Sequence, residues 1–221
     1  MRLGAAELRF TQTSDGDFSP PDATDDAALT PRRRWGSSVG PGTWLRQVHG
    51  RGVVVVDEPG AHVGAAVDAA VAVVANAPVA VVTADCAPIV LVADDGSTVA
   101  AVHAGWRGLL LGVVDEAVAH MRARGASGIS AALGPCIHAE CYEFSDADLA
   151  PIVDAFGAGV RGVTSEGTPA LDMQAAVRAA LDKNDVKLVH DEDVCTAHHG
   201  GYWSHRARAD KQRQATVAWL T

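Results

Sequence analysis

From residue 42 onward the chain is written in short apolar runs separated by polar punctuation, and the length of those runs sets the elements to expect. Residues 52–56, 71–74, 79–83, 88–93 and 98–103 are dense in Val and Ala, and β-branched enrichment in runs this short favours buried strands over one long helix. Residues 129–133, 186–189 and 215–220 read as further short strands. Helical spacing over 109–124, stopped by Gly125, predicts a helix that ends on a left-handed position. Ser145, with Asp148 three residues on, opens a second helix to about Phe156, and Asp172 opens a third to about Lys183. Residues 11–34 are rich in Asp, Pro, Ser and Thr without a sustained period, so the stretch of about 11–35 is expected to be irregular or mobile and to add little core.

One turn in this pattern fixes a register. Asp94-Asp95-Gly96-Ser97 joins two of the apolar runs, and Asp-Gly at the centre of a short connection signals a two-residue hairpin. Centred on Asp95 and Gly96, the hairpin sets Pro88 opposite His103 and Cys86 opposite Gly105. Cys86 and His103 then emerge at the same end of one hairpin before any function is assumed. His49 falls in the loop ahead of the run 52–56.

Composition narrows the class. At 221 residues and 48% hydrophobic content the chain can bury a sizeable core, and one compact domain over 1–221 is expected. Aromatic residues are only 5%, so that core should be packed from small aliphatic side chains. A formal net charge of -9 works against binding nucleic acid and points to a small-molecule substrate. No apolar run approaches the roughly 20 residues that span a bilayer, and residues 1–10 lack the charged start and apolar centre of a signal peptide, so the expected compartment is the cytoplasm. The four cysteines, Cys86, Cys136, Cys141 and Cys195, are therefore expected to be reduced.

His49, Cys86 and His103 are the candidate metal ligands. Zinc favours imidazole and thiolate, and catalytic zinc sites use three protein ligands with a fourth position open. The spacing matches no finger or ribbon pattern, and a cysteine following an apolar strand is commonly an inert core thiol. The hairpin register is what brings two of the three together.

The words around these residues carry a resemblance. Arg46-Gln47-Val48-His49-Gly50, Thr83-Ala84-Asp85-Cys86-Ala87-Pro88 and His103-Ala104-Gly105-Trp106-Arg107-Gly108 closely resemble the YfiH family. Its members have been called multicopper polyphenol oxidases, laccase-like proteins, purine nucleoside phosphorylases and peptidoglycan editing factors. Val67-Asp68-Ala69, Leu133-Gly134-Pro135-Cys136-Ile137, Cys141-Tyr142-Glu143, Asp193-Val194-Cys195-Thr196 and Trp203-Ser204-His205-Arg206 extend the likeness to the C-terminus. The resemblance implies a single α/β domain of two central mixed β-sheets flanked by helices, layered α/β/β/α, with one Zn2+ on His49, Cys86 and His103. It implies phosphorolysis of adenosine, inosine and methylthioadenosine, together with adenosine deamination. The chain departs from the family in a shortened N-terminal segment around Thr11-Gln12-Thr13-Ser14-Asp15-Gly16, and in Lys211-Gln212-Arg213 where the family has Thr-Gly-Arg.

Roles around the trio follow. Cys86 is expected as thiolate, and Asp85 beside it either orients a ligand histidine or relays a proton, or else is a turn residue bonding local backbone. Arg107, at the entrance to a helix, is a candidate for phosphate, with Arg46, Arg206 and Arg213 as further anion contacts; each also reads as an ordinary surface charge. Trp106 either stacks on a purine or anchors its loop. Cys136 and Cys141 raise a second metal, and copper is the lesser alternative to zinc, since laccase-type chemistry needs paired histidines and only His198-His199 and His205 cluster. His62, His120, His138 and His190 read as ordinary surface or core residues. Two other functions compete: a hydrolase or amidase acting on a cell-wall precursor with Cys86 as nucleophile and His103 as base, and a non-enzymatic, metal-stabilised binding protein.

Overall fold

The computed structural model describes residues 1–20 and 40–221. The strands are β1 (Arg2–Leu3), β2 (Ala6–Phe10), β3 (Thr43–Trp44), β4 (Val53–Val56), β5 (Ala69–Ala72), β6 (Val79–Thr83), β7 (Ala87–Ala93), β8 (Val99–Ala104), β9 (Ile129–Leu133), β10 (Arg161–Val163), β11 (Pro169–Leu171), β12 (Lys187–Asp191) and β13 (Gln214–Leu220). The helices are α1 (Trp106–Leu111), α2 (Val113–Arg122), α3 (Asp146–Phe156), α4 (Met173–Lys183) and α5 (His205–Arg208). A five-stranded sheet runs β1-β2-β13-β6-β3 and a six-stranded sheet runs β12-β9-β7-β8-β5-β4, with β10 and β11 as a separate pair. Both large sheets are mixed: β3 joins β6 in parallel, as β4 joins β5 and β12 joins β9, while their other pairings are antiparallel. This is the α/β fold with two central mixed sheets and flanking helices that the resemblance implies.

The unbroken apolar runs follow from burial of both faces of the central strands, which removes the usual inside–outside alternation. In β7, Ile89 and Leu91 face the helices with Val113, Val118, Leu149, Met173 and Leu181, while Val90 and Val92 face the other sheet with Leu8, Val79, Val81 and Leu220. In β8, Val102 takes the helix side and Val99 the inter-sheet side. The period of two is present in the structure but invisible in the hydropathy. The hairpin register is as expected: Pro88 pairs with His103, and Ala87 with Ala104 forms the last rung.

Three expectations change. The helix over 109–124 is two helices, because Gly112 takes the left-handed conformation (φ 86, ψ 37) between α1 and α2. A non-glycine residue is strained there, and a Cβ would also lie 2.8 Å from the Asp115 carboxylate. Gly125 does take the left-handed position expected of it (φ 95). Strands β1 and β2 give the first ten residues a place in the five-stranded sheet that the hydrophobic pattern did not signal.

The third change concerns the little core expected of residues 11–20, which have no regular structure apart from one 3-10 turn at Thr13–Asp15 but do bury a side chain. Phe18 is buried and stacks on Trp44 at 5.9 Å, in a cluster with Ala80, Val82, Ala215 and Val217. Its backbone N–H donates to Arg213 O, and the Arg213 N–H donates to the Asp17 carboxylate. The polar composition hid a single aromatic anchor. The remainder of the expected irregular stretch, 21–35, lies outside the described residues.

Candidate metal centre and cleft

Three separate segments deliver His49, Cys86 and His103 to one point. His103 sits in β8, Cys86 immediately precedes β7, and His49 sits in the loop before β4. The ligand atoms of the three lie within 4.8 Å of one another. Cys86 Sγ is 3.9 Å from His49 Nε2, and the two imidazole rings meet edge to face at 4.8 Å between centroids. Bond lengths of about 2.0 Å to nitrogen and 2.3 Å to sulfur in a tetrahedral site put such donors about 3.6 Å apart, so the donor set fits zinc in chemistry and in size.

Asp68, at the entrance to β5, organises this point. Its carboxylate is fully buried and accepts from the backbone N–H of Val48, His49 and Gly50 at 3.2, 2.9 and 2.7 Å, and its Oδ1 lies 2.8 Å from His103 Nδ1. His49 is thereby held with φ 57, a strained setting for a non-glycine residue. The His103 backbone N–H also donates to Asp68 O at 2.8 Å. Asp68 belongs to the Val67-Asp68-Ala69 word of the family likeness, which by itself assigns it no role. Its signal was an acidic residue at the head of an apolar run.

The electrostatics follow from these contacts. Burial opposes ionisation of Asp68, yet the hydrogen bonds from His103 and from the backbone outweigh it and hold the carboxyl below its ordinary range. Burial likewise opposes the Cys86 thiolate, but His103 and His49 overcome it and lower its pKa to about 6. His103 is raised to about 9, because the attraction of Cys86 and Asp68 exceeds the burial cost. Both shifts act in the same direction, toward a thiolate–imidazolium pair in the metal-free chain. Gly105 leaves room for it: a Cβ there would lie 2.9 Å from His49 Cδ2 and 3.2 Å from Cys86 Sγ.

The trio opens into a cleft of about 490 Å³, within the range of small-molecule sites. Arg46, Arg107, Arg206 and Arg213 all line it, so the structure brings the four expected cations together. They differ in freedom. Arg213 Nη1 donates to the carbonyls of Asp210, Lys211 and Gln212 and braces its own turn. Arg206 donates to Glu143 O and lies 4.7 Å over the Tyr142 ring. Arg107 lies 4.3 Å over Trp106, covering one face of that indole, and Trp106 meets Phe144 edge-on. Among the described residues Arg46 and Arg107 make no side-chain hydrogen bond or ion pair.

Asp85 lines the cleft beside Cys86, and its carboxylate does not bond local backbone. At φ 94 its carboxylate accepts from Thr196 Oγ1 at 2.7 Å and from the Arg206 backbone N–H at 2.6 Å, so it ties two distant segments to the strand that carries Cys86. Those bonds are not local, and the carboxylate that orients a ligand histidine is Asp68. His198, His199 and His205 make separate contacts. His205 lines the cleft, His199 packs on Tyr202, and His198 lies against Cys141.

Comparison with known proteins adds to this geometry. Residues 22–221 match the family described as multi-copper polyphenol oxidoreductase laccase. A purine nucleoside phosphorylase of Streptomyces griseus is 41% identical over 181 residues, covering 80% of this chain and 73% of that relative. A crystal structure from Neisseria meningitidis superposes with a TM-score of 0.86 at 26% identity, covering 99% of this chain and 95% of that one. The YfiH protein of Bacillus licheniformis shares the fold at 20% identity, with a TM-score of 0.83 and coverage of 98% and 93%. On the matched span, the Streptomyces relative and the shared fold, the chain belongs to the YfiH family.

Proposed function

We propose that this protein is a zinc-dependent purine nucleoside phosphorylase that acts on adenosine, inosine and methylthioadenosine, and that it also deaminates adenosine. The observation that carries the reading is the convergence of His49, Cys86 and His103 inside a cleft lined by four arginines, in a chain whose relatives bear the phosphorylase name. In phosphorolysis a phosphate oxygen bonds to the ribose C1′ while the bond from C1′ to the purine breaks, and the purine leaves with a proton. In deamination water oxygen replaces the 6-amino group and ammonia leaves.

Zinc on the trio would supply Lewis acidity through its open position. The rest falls to the chain. Asp68 fixes His103 through Nδ1 and turns its other ring nitrogen to the site, and the same carboxylate sets the His49 backbone. Arg46 and Arg107 offer charge-assisted hydrogen bonds to phosphate. Tyr142 adds an aromatic wall with Arg206 laid across it. Asp85 acts as a positioning residue for the strand end at Cys86. The setting we propose is cytoplasmic. Among the described residues no helix is long and apolar enough to cross a membrane.

Incubation of zinc-loaded protein with adenosine and phosphate, resolving adenine from inosine by chromatography, tests both activities. Adenine that requires phosphate supports phosphorolysis, and inosine formed without phosphate supports deamination. Absence of both products removes the assignment. A second reading, a thiol hydrolase or amidase acting on a cell-wall precursor, draws on the low thiol pKa of Cys86 beside His103. It requires activity in metal-free protein, abolished by alkylation of Cys86.

A further inference from the structure

A second group of candidate metal donors lies outside the lining of the cleft. Glu140, Cys141, Cys195 and His198 each offer one ligand atom, and these atoms lie within 4.8 Å of one another. Cys141 Sγ is 3.1 Å from His198 Nε2, and the Glu140 carboxylate is 3.5 Å from His198 Nδ1. The backbone N–H of His138 donates to Cys195 Sγ at 3.5 Å, the arrangement that stabilises charge on a sulfur bound to a metal. His138 also presents its Nδ1 to Glu140 at 3.8 Å, and its Nε2 is buried without a hydrogen-bond partner among the described residues.

We infer that Cys141, Cys195 and His198, with Glu140 as fourth donor, form a second metal site, one that takes a thiophilic divalent cation of the zinc type. Two thiolates and an imidazole select zinc over hard cations, and four protein donors make a closed, structural site rather than an open, catalytic one. The donors come from two segments that already touch: the backbones at Cys136 and Cys195 pair in an isolated parallel β-bridge, and the Thr196 N–H donates to Cys136 O. Thr196 is also the residue whose hydroxyl holds Asp85, next to Cys86. A cation here staples the segment that positions one end of the cleft. The two thiols release their protons to solvent on binding, and no oxidant is involved.

The test is metal stoichiometry of the full chain loaded with zinc and freed of excess, measured by mass spectrometry of the metal, with cobalt substitution as the optical readout. The expected content is about two zinc ions per chain, falling to about one in Cys141→Ser and in His198→Ala. His49→Ala is also expected to keep about one ion, the other one, and His49→Ala/His198→Ala none. Because cobalt bound to two thiolates absorbs more strongly than cobalt bound to one, the stronger sulfur-to-cobalt band should vanish in His198→Ala and persist in His49→Ala. A single zinc per chain that is lost in His49→Ala and untouched in His198→Ala overturns the inference. A Cys141–Cys195 disulfide in freshly purified protein, with zinc content of about one, overturns it equally. Neither result bears on the nucleoside reading, which rests on the other trio.

Discussion

The carboxylate of Asp68 lies 2.8 Å from Nδ1 of His103 while gathering the backbone N–H groups of the loop that presents His49, so one buried acid positions two of the three candidate ligands. Replacing it separates charge from shape. Asp68→Asn keeps the size but loses the charge, and zinc affinity should fall by about 10–100-fold in a chelator competition. Asp68→Ala leaves His103 and the loop N–H groups unpaired, and should cost about 3–5 kcal/mol in denaturant unfolding. Because this carboxyl is held below its ordinary range, the stability it contributes is present at neutral pH and is lost as acidification protonates it.

Metal-free protein should carry a Cys86 thiolate at neutral pH. Its absorbance at the thiolate wavelength should titrate with a midpoint of about 6, and His103→Ala should move that midpoint upward. Iodoacetamide at neutral pH should mark Cys86 first, because burial pushes the Cys141 thiol up to about 12 and Cys136 well above its ordinary value.

The same pair has a defined stability signature. The His103 contribution is full below the ordinary imidazole range and fades as pH rises through about 9. The Cys86 contribution is full above the ordinary thiol range and fades as pH falls through about 6. Between these limits one grows as the other shrinks, so unfolding free energy of the metal-free chain should be nearly flat from about 6 to 9. A steep slope in that window, measured by urea unfolding, would show that the two groups do not ionise as a pair.

Gly105 is required for space rather than for backbone conformation. Its φ of -73 and ψ of 158 suit any residue, but an added Cβ meets His49 Cδ2 at 2.9 Å and Cys86 Sγ at 3.2 Å. Gly105→Ala should still fold when metal-free, with a modestly lowered melting temperature, and should displace the ligands and lower activity on the order of 100-fold. Zinc content per chain and circular dichroism together check this.

The site was partly legible because one local rule reaches far. Asp95-Gly96 fixes the hairpin register, and that register alone brings Cys86 to His103. Nothing local brings in His49, which depends on a buried carboxylate 19 positions away along the chain. The turn reading of Asp85 fails for the same reason: a turn acid is expected to bond its neighbours, whereas its partners are 111 and 121 residues distant. Strand positions were legible from Val and Ala density, but the faces of β7 and β8 were not, since both are buried. The helical spacing over 109–124 runs through Gly112 without a signal, and only its left-handed φ shows the break.

Phosphate recognition separates the two proposed reactions. Arg46 and Arg107 are the cleft cations without other side-chain bonds among the described residues, whereas Arg206 and Arg213 already hold carbonyls. A charge-assisted hydrogen bond contributes about 1.5–3 kcal/mol, so Arg46→Ala or Arg107→Ala should raise the phosphate KM by roughly 10–100-fold. Deamination uses water in place of phosphate, and its kcat/KM for adenosine should change far less in the same variants. Arg213→Ala loosens the turn over Asp210, Lys211 and Gln212, and should depress both reactions together. Equal losses of phosphorolysis and deamination in Arg46→Ala and Arg107→Ala would place these arginines at the nucleoside rather than at the phosphate.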